Sequence, residues 1–287
     1  MIPHDLTGLG RSSLSRCGYV VLRGCLAGEV VRSLQTLSRE MSGAAAAILA
    51  ETQRSGETAA AHAASRASEL IVVPEACDTG RVCRYEFMYG ANPEFREFVD
   101  ATLIPLVSGV TGEQMVPFKD KTNEKSPGGG AFGPHQDFAA YRFFAPRSHV
   151  TALISIDAAE IANGCVQFAE EYQRAAQLLP RHVGSYHRDK PLFATIAGGP
   201  GHGDIVAEAA GTFAWVPVET QCSDLVLFDS FVPHRSGANA STLPRRAMFV
   251  TLTRAAEGRH YDAYYSEKRR NYHDPKFHVA TPTWRLP

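Results

Sequence analysis

SDLVLFDSFVPHRSGANASTLPRRAMFVTLTR, residues 223–254, is the stretch on which the reading of the fold turns. It opens with an apolar run of strand length (223–229) and closes with an alternating one (245–254). Between them lies a connection rich in Pro, Gly, Asn and Ser, the residues that favour turns. Such a pair fits two short strands of a layered sheet protein. Moving upstream, the same signature recurs at 115–125, 132–138, 148–157, 164–169 and 212–218, separated by glycine, proline or acidic turns.

The first 112 residues have a different texture. Residues 19–23 (YVVLR) suit a short strand, and Leu26, Val30, Leu34 and Leu37 mark one side of a helix running to about residue 51. Residues 43–68 are rich in alanine, so they are helical by propensity but lack large anchoring groups. A surface or lid helix is the expectation there. Residues 81–90 (RVCRYEFMYG) suit a strand. Asn92-Pro93 suits the start of a helix reaching to 112, which Pro105 should kink or interrupt. Helices first and many short strands afterwards predict a mainly β protein with flanking helices, a jelly roll of two sheets. One domain over 1–287 is expected, with a helical part to about 112, a jelly-roll core over 113–255 and a tail over 256–287. The connection 187–211, which contains GGPGHGD, is long enough to be mobile or functional.

Bulk properties narrow the function classes. With 44% hydrophobic and 21% charged residues and a net charge of -1, the chain has the composition of an ordinary globular protein. No basic run points to nucleic acid or a membrane surface. No apolar run approaches the ~18 residues that cross a bilayer, and the opening residues lack a leader pattern. The six cysteines, Cys17, Cys25, Cys77, Cys83, Cys165 and Cys222, form no CxxC pair and are expected as reduced, buried thiols. A cytoplasmic location is the expectation. Homo-oligomer formation is possible but nothing indicates it.

Chemistry concentrates in PHQD, residues 134–137. His135 and Asp137 are two apart, so an extended strand would project both from one face. His234, just past the 223–229 run, is the best third ligand. Two histidines and a carboxylate make the facial triad of non-haem iron(II) oxygenases, which leaves three positions open for a bidentate co-substrate and dioxygen. HxD alone is a weak signal, and a lone histidine is more often structural. Eleven residues beyond His234, however, comes Arg245, on a run whose alternation turns one of Arg245 and Arg246 inward. An inward Arg245 offers a planar fork for the distal carboxylate of 2-oxoglutarate, and Ser236 can share it.

The ordered segments PGGGAFGPHQD, SIDAAEIANGC, SDLVLFDSFVPHRSGANAS and RRAMFVTLTRAAEG resemble the phytanoyl-CoA dioxygenase superfamily, over roughly residues 80–275. More narrowly, the chain resembles the bacterial small-molecule branch that includes 2-aminoethylphosphonate dioxygenase. The resemblance implies a double-stranded β-helix, a jelly roll of cupin-like form. It implies an oxidoreductase that couples decarboxylation of 2-oxoglutarate by O2 to substrate oxidation, with release of succinate and CO2. Carried over, the Fe(II) ligands fall on His135, Asp137 and His234, and the co-substrate carboxylate on Arg245 and Ser236. Asp137 stands where related halogenases carry a small residue, which implies hydroxylation or another oxygen-derived outcome such as desaturation. The chain departs from many members at Glu171-Tyr172-Gln173, where a Gly-Ser/Thr-His turn is common. Asn239 matches the family's asparagine and is expected first as a turn residue.

Lys119, Lys121, Asn123 and Lys125 share one face of the 115–125 strand. They are either a solvated edge or a cationic wall inside the barrel. In the second case Lys121 or Asn123 would touch 2-oxoglutarate or an anionic substrate. Lys119, Arg84, Tyr85, Tyr89, Gln136 and Tyr141 are further candidates for polar substrate contacts. Phe132, Phe138, Phe143 and Phe144 are expected to pack, His149 to be structural, and His182, His187 and His202 to be weak ligand candidates. The expected substrate is a small polar metabolite, anionic or zwitterionic, phosphonate-like or amino-acid-like. Two alternatives stand beside it. One is a biosynthetic tailoring oxygenase acting on a larger or carrier-tethered product, which an electropositive pocket mouth would favour. The other is a non-catalytic jelly-roll binding protein, which retention of all four of His135, Asp137, His234 and Arg245 disfavours.

Overall fold

Leu225–Asp229 shows why two layers form. Leu225 and Leu227 pack into one apolar cluster with the helices, while Val226 and Phe228 pack into a second cluster on the opposite face. Period-two alternation along one buried strand thus feeds two cores. Fully burying such a side chain contributes about 1.5–3 kcal/mol.

The computed structural model describes residues 4–75, 78–198 and 201–278. Its strands are β1 (Tyr19–Leu22), β2 (Ile71–Pro74), β3 (Val82–Glu86), β4 (Met115–Lys125), β5 (Phe132–His135), β6 (His149–Ser155), β7 (Val166–Glu170), β8 (Val183–His187), β9 (Lys190–Phe193), β10 (Ala214–Val218), β11 (Leu225–Asp229), β12 (His234–Ser236) and β13 (Arg245–Arg254). A seven-stranded sheet runs β1-β11-β6-β13-β4-β3-β2, and a four-stranded sheet runs β10-β7-β12-β5. Every pairing is antiparallel. This is the jelly roll, with helices on the outer face of the larger sheet.

The expected boundary at residue 112 does not separate layers, because β1, β2 and β3 complete the larger sheet. The alanine-rich segment is also placed differently from expectation. Its first part continues the helix Gly28–Ser55, where Leu34, Leu37, Met41, Ala45 and Leu49 are buried on one stripe against the sheet, and its second part forms a separate helix, Ala59–Ser65, beyond the left-handed Gly56. Small side chains let the longer helix approach closely, so what looked like weak anchoring is core packing. Tyr89 leaves the expected strand as well. Phe87 takes a left-handed conformation (φ 73°), and Met88–Ala91 is a helical turn.

Asn92 caps the next helix, accepting from the Phe95 N–H at 2.8 Å. The interruption expected at Pro105 is a π-helical turn over Val99–Leu103, just upstream. The connection 187–211 is partly ordered: β8 and β9 form a hairpin, and Thr195 bridges Ile205. The helix Tyr261–Arg270 lies along β4 where β3 has departed, and the Tyr265 hydroxyl donates to the Asp120 carbonyl at 2.6 Å. Of the described cysteines, Cys83 and Cys165 are buried, while Cys17, Cys25 and Cys222 are only half-buried. All five are free thiols, and Cys77 lies outside the described residues. No helix among the described residues is long and apolar enough to cross a membrane.

Candidate metal centre

β5 and β12 pair antiparallel with His135 opposite His234, and their ring centroids lie 4.1 Å apart. Asp137 joins them by a route other than the expected one. The strand ends at His135, and Asp137 has helical backbone angles (φ -58°, ψ -31°) at the head of the turn Phe138–Tyr141. The chain bends there, which swings the carboxylate back toward the two rings. One donor atom from each of His135, Asp137 and His234 lies within 4.8 Å of the others, and all three residues are buried.

The second ring nitrogens are committed. His135 Nδ1 lies 2.8 Å from the Gly133 carbonyl and His234 Nδ1 lies 3.1 Å from that of Val232. A carbonyl only accepts, so each Nδ1 carries the proton and each Nε2 keeps its lone pair for a cation. Burial, reinforced by His234, holds His135 down at about 3, and burial also lowers His234. Both rings are therefore neutral, as ligation requires. For Asp137, burial alone would raise the pKa, but His234, Lys121, His135 and Lys119 outweigh it and keep the carboxyl below its ordinary value. Two neutral imidazoles and an ionised carboxylate fit a divalent transition metal. His234 is seated on Phe228 and Phe168, with ring centroids at 5.0 Å and 6.0 Å.

Beside the triad is a cavity lined by Lys121, Asn123, Phe132, Ser236, Arg245 and Phe249. The β4 face carrying Lys119, Lys121, Asn123 and Lys125 points inward: Lys121 and Asn123 line this cavity together with Arg245, the cross-strand partner of Lys125, while Lys119 and Lys125 are buried. Asn123 Oδ1 and Arg245 Nε are buried without a hydrogen-bond partner. Arg245 otherwise donates to the Gly164 carbonyl at 2.8 Å, and burial pulls it down to about 10. Its neighbour Arg246 turns outward to form a fork with Asp157, at 2.9 and 2.8 Å. Lys125 donates to Ser236 Oγ at 2.8 Å, so that hydroxyl is already engaged with a cation.

Not every expected contact residue faces this cavity. Tyr85 points to the helix-facing side of β3, 3.4 Å from Ser42 Oγ, because its neighbours Arg84 and Glu86 take the inner face. Gln136 is spent on the scaffold. Its amide donates to the Pro191 and Phe231 carbonyls (2.8 and 2.5 Å) and accepts from the Phe193 N–H (2.8 Å). It thereby pins the β8–β9 hairpin to the segment that leads into His234. Arg84 pairs with Glu86 (2.9 Å) and the Phe277 carbonyl (2.7 Å). Tyr141 is buried beside Lys119, with its hydroxyl 3.4 Å from Thr251 Oγ1. Asn239 staples the turn before β13 by donating to the Lys125 and Leu243 carbonyls. His149 is buried among Phe118, Phe138 and Tyr141 with neither ring nitrogen hydrogen-bonded.

Residues that sequence reasoning passed over also reach the interior. Glu86 is fully buried and takes Lys268 Nζ at 2.6 Å, while Tyr264 lies 5.4 Å from the Lys119 ammonium. The helical spacing of Tyr261, Tyr264, Tyr265 and Lys268 was the available signal.

Comparison with known proteins agrees with this geometry. A family model described as phytanoyl-CoA dioxygenase (PhyH) matches residues 14–247. A 2-aminoethylphosphonate dioxygenase from an uncultured bacterium (HF130_AEPn_1) is 35% identical over 198 residues, covering 68% of this chain and 68% of the relative. The methylphosphonate hydroxylase of Gimesia maris is 35% identical over 193 residues, covering 67% of this chain and 66% of the relative. The chain thus spans about two thirds of the length of these relatives. EctD from S. alaskensis, solved with 2-oxoglutarate and 5-hydroxyectoine, superposes with a TM-score of 0.66 at 17% identity, over 90% of this chain and 79% of that one. SnoK, a non-haem α-ketoglutarate-dependent carbocyclase from nogalamycin biosynthesis, gives 0.61 at 15% identity, over 88% and 85%. These structural likenesses concern the fold. With the family match running through both histidine-bearing strands, the chain belongs to the phytanoyl-CoA dioxygenase family.

Proposed function

We propose that the chain is an Fe(II)- and 2-oxoglutarate-dependent dioxygenase that oxidises a small polar metabolite, anionic or zwitterionic, with phosphonates as the first class to test. In this reading His135, Asp137 and His234 hold the metal. Arg245 and Ser236 receive the distal carboxylate of 2-oxoglutarate, with Lys121 and Asn123 beside its path. Bound iron and co-substrate supply the oxidising power, and the protein's groups bind, orient and exclude water. The observation that carries the reading is the convergence of two neutral histidines and one ionised carboxylate on one point. An unsatisfied arginine nitrogen and asparagine oxygen line the adjoining cavity. The substrate class is taken from the two phosphonate-named relatives and from the cationic inner wall.

A second reading, oxidation of a carrier-tethered product, draws on a cleft of about 320 Å³ at the Met115–Arg254 end of the barrel, with Arg147, Arg188, Lys190 and Arg254 in its walls. Three of those cations already face acids: Arg188 faces Glu257, Lys190 faces Asp229 and Arg254 faces Glu113. The cleft therefore has less free charge than its composition implies, and a free metabolite is preferred.

The test is anaerobic loading with ferrous iron, then addition of 2-oxoglutarate and oxygen with a panel of phosphonates, carboxylates and phosphate esters. Succinate release stimulated by a panel member is expected. No succinate from protein with measured bound iron would overturn the reading in favour of a non-catalytic binding protein.

A further inference from the structure

His135 and His234 share one local device. Each donates Nδ1–H to the carbonyl two residues before it, on Gly133 and Val232 respectively. The direction of that carbonyl fixes the tautomer and the plane of the ring, and so where Nε2 points. Whatever holds the Val232 carbonyl therefore acts on the metal centre from outside the triad.

Residues 230–233 join β11 to β12. Pro233 disfavours helical backbone at Val232, so the aim of the Val232 carbonyl depends mainly on the peptide that precedes it. That peptide is gripped at both ends. Its carbonyl, on Phe231, accepts from Gln136 Nε2 at 2.5 Å, and its N–H, on Val232, donates to Asp229 Oδ1 at 3.1 Å. The same N–H also reaches the Asp229 carbonyl at 3.3 Å. Asp229 Oδ1 takes the Phe231 N–H as well, at 2.7 Å. One carboxylate oxygen thus fixes two successive peptides ahead of His234.

The other oxygen, Oδ2, accepts from Lys190 Nζ. The Asp229 side chain is buried and that of Lys190 is half-buried. Lys190 opens β9, inside the connection 187–211 whose length marked it as mobile or functional. β8 and β9 form a sheet of their own, and an isolated two-stranded hairpin is marginal in water. Its seat on the barrel therefore depends on its anchors. These are Gln136 at Pro191 and Phe193, Arg188 at Ser148 Oγ and Glu257, and Lys190 at Asp229. The last of them ends on the carboxylate that shapes the approach to His234.

We propose that Asp229 is the positioning residue of His234 and that the β8–β9 hairpin backs it through Lys190, so that a hairpin contributing no triad ligand sets how tightly the centre holds its metal. Lys190 keeps the carboxylate in the orientation that aims Oδ1 at both N–H groups. This rests on the triad being the metal site, as in the dioxygenase reading above.

The test measures ferrous affinity by competition with a chelator and the visible spectrum of the cobalt(II)-loaded protein, with urea unfolding of the metal-free chain beside them. Loss of a group that orients a metal ligand lowers affinity about 10–100-fold. Asp229→Ala should fall in that range and shift the cobalt bands, which report ligand geometry and which a loss of global stability alone does not move. Asp229→Asn keeps an oxygen for both N–H groups and should recover most of the affinity and the wild-type bands. Lys190→Met should show a smaller loss, and none beyond that of Asp229→Ala when the two are combined, because it acts through that carboxylate. If Asp229→Ala does not fold, Lys190→Met carries the comparison, with Lys190→Arg closer to the wild type; wild-type affinity in Lys190→Met then overturns the proposal. Wild-type affinity and bands in a folded Asp229→Ala, or Asp229→Asn no better than Asp229→Ala, also overturn it. If the wild type binds cobalt, Asp137→Ala does not, and no succinate is released, the dioxygenase reading fails while the positioning role stands.

Discussion

His135 and His234 face each other across the β5–β12 pair, and each places Nε2 near the same oxygen of Asp137, at 3.8 Å and 4.0 Å. A strand register and a chain bend, neither encoded next to the other, are thereby brought to one point. The carboxylate supplies the only negative charge of the triad. Loss of a group that merely orients a ligand costs about 10–100-fold in metal affinity. Asp137→Ala removes a donor outright and should lower ferrous affinity by more than about 100-fold, measured by competition with a chelator. Affinity within a few-fold of wild type would mean that the triad is not the metal site.

Arg245 is the buried cation with an orphaned nitrogen beside the triad. Arg245→Ala should weaken 2-oxoglutarate binding by about 2–5 kcal/mol, at least about 30-fold, with iron content unchanged. The dissociation constant of 2-oxoglutarate on the ferrous protein is the measurement. A normal value would move the role to Lys125, which already holds Ser236.

Gln136 lies between two triad residues but serves the scaffold. Gln136→Leu strands the Pro191 and Phe231 carbonyls and the Phe193 N–H. Each buried orphan costs about 1–3 kcal/mol, and partial relaxation brings the sum to about 3 kcal/mol. Urea unfolding of the metal-free protein checks this, and a loss below about 1 kcal/mol would show the hairpin to be held by other contacts.

Burial pushes His149 down to about 3, opposed by Glu257 and Asp137 and assisted by Arg147 and His187. The folded protein therefore keeps this ring neutral at pH values where the unfolded chain protonates it. The resulting contribution is complete above about 6.5 and is lost as pH falls from about 6.5 toward 3, the loss amounting to about 2 kcal/mol at pH 5. His149→Phe should flatten that part of the stability curve. Parallel curves for the two proteins between pH 7 and pH 5 would show that the ring titrates normally.

Most strands of the two main sheets were readable because each is a short run bounded by turn residues, whereas β2, β12 and the β8–β9 hairpin, of three to five residues each, were not. β4, β6, β11 and β13 fall where alternation put them. The candidate triad was proposed for a different reason: the HxD spacing of His135 and Asp137, followed by His234 and by Arg245 eleven residues later, is a combination of residue types in the sequence itself, and the three side chains do converge. Tyr85 and Gln136 were misjudged because polarity and nearness in sequence cannot tell an inner face from an outer one, or a free amide from a committed one.

Residue types, their period and their order along the chain therefore suffice for a two-sheet barrel and for a candidate ligand set. Which cation meets which partner does not follow from them. Glu86 meets Lys268 across 182 residues and Lys125 meets Ser236 across 111. Only packing at that range decides which charge meets which, because charge balance in a buried site is a property of the assembled wall and not of any segment in it.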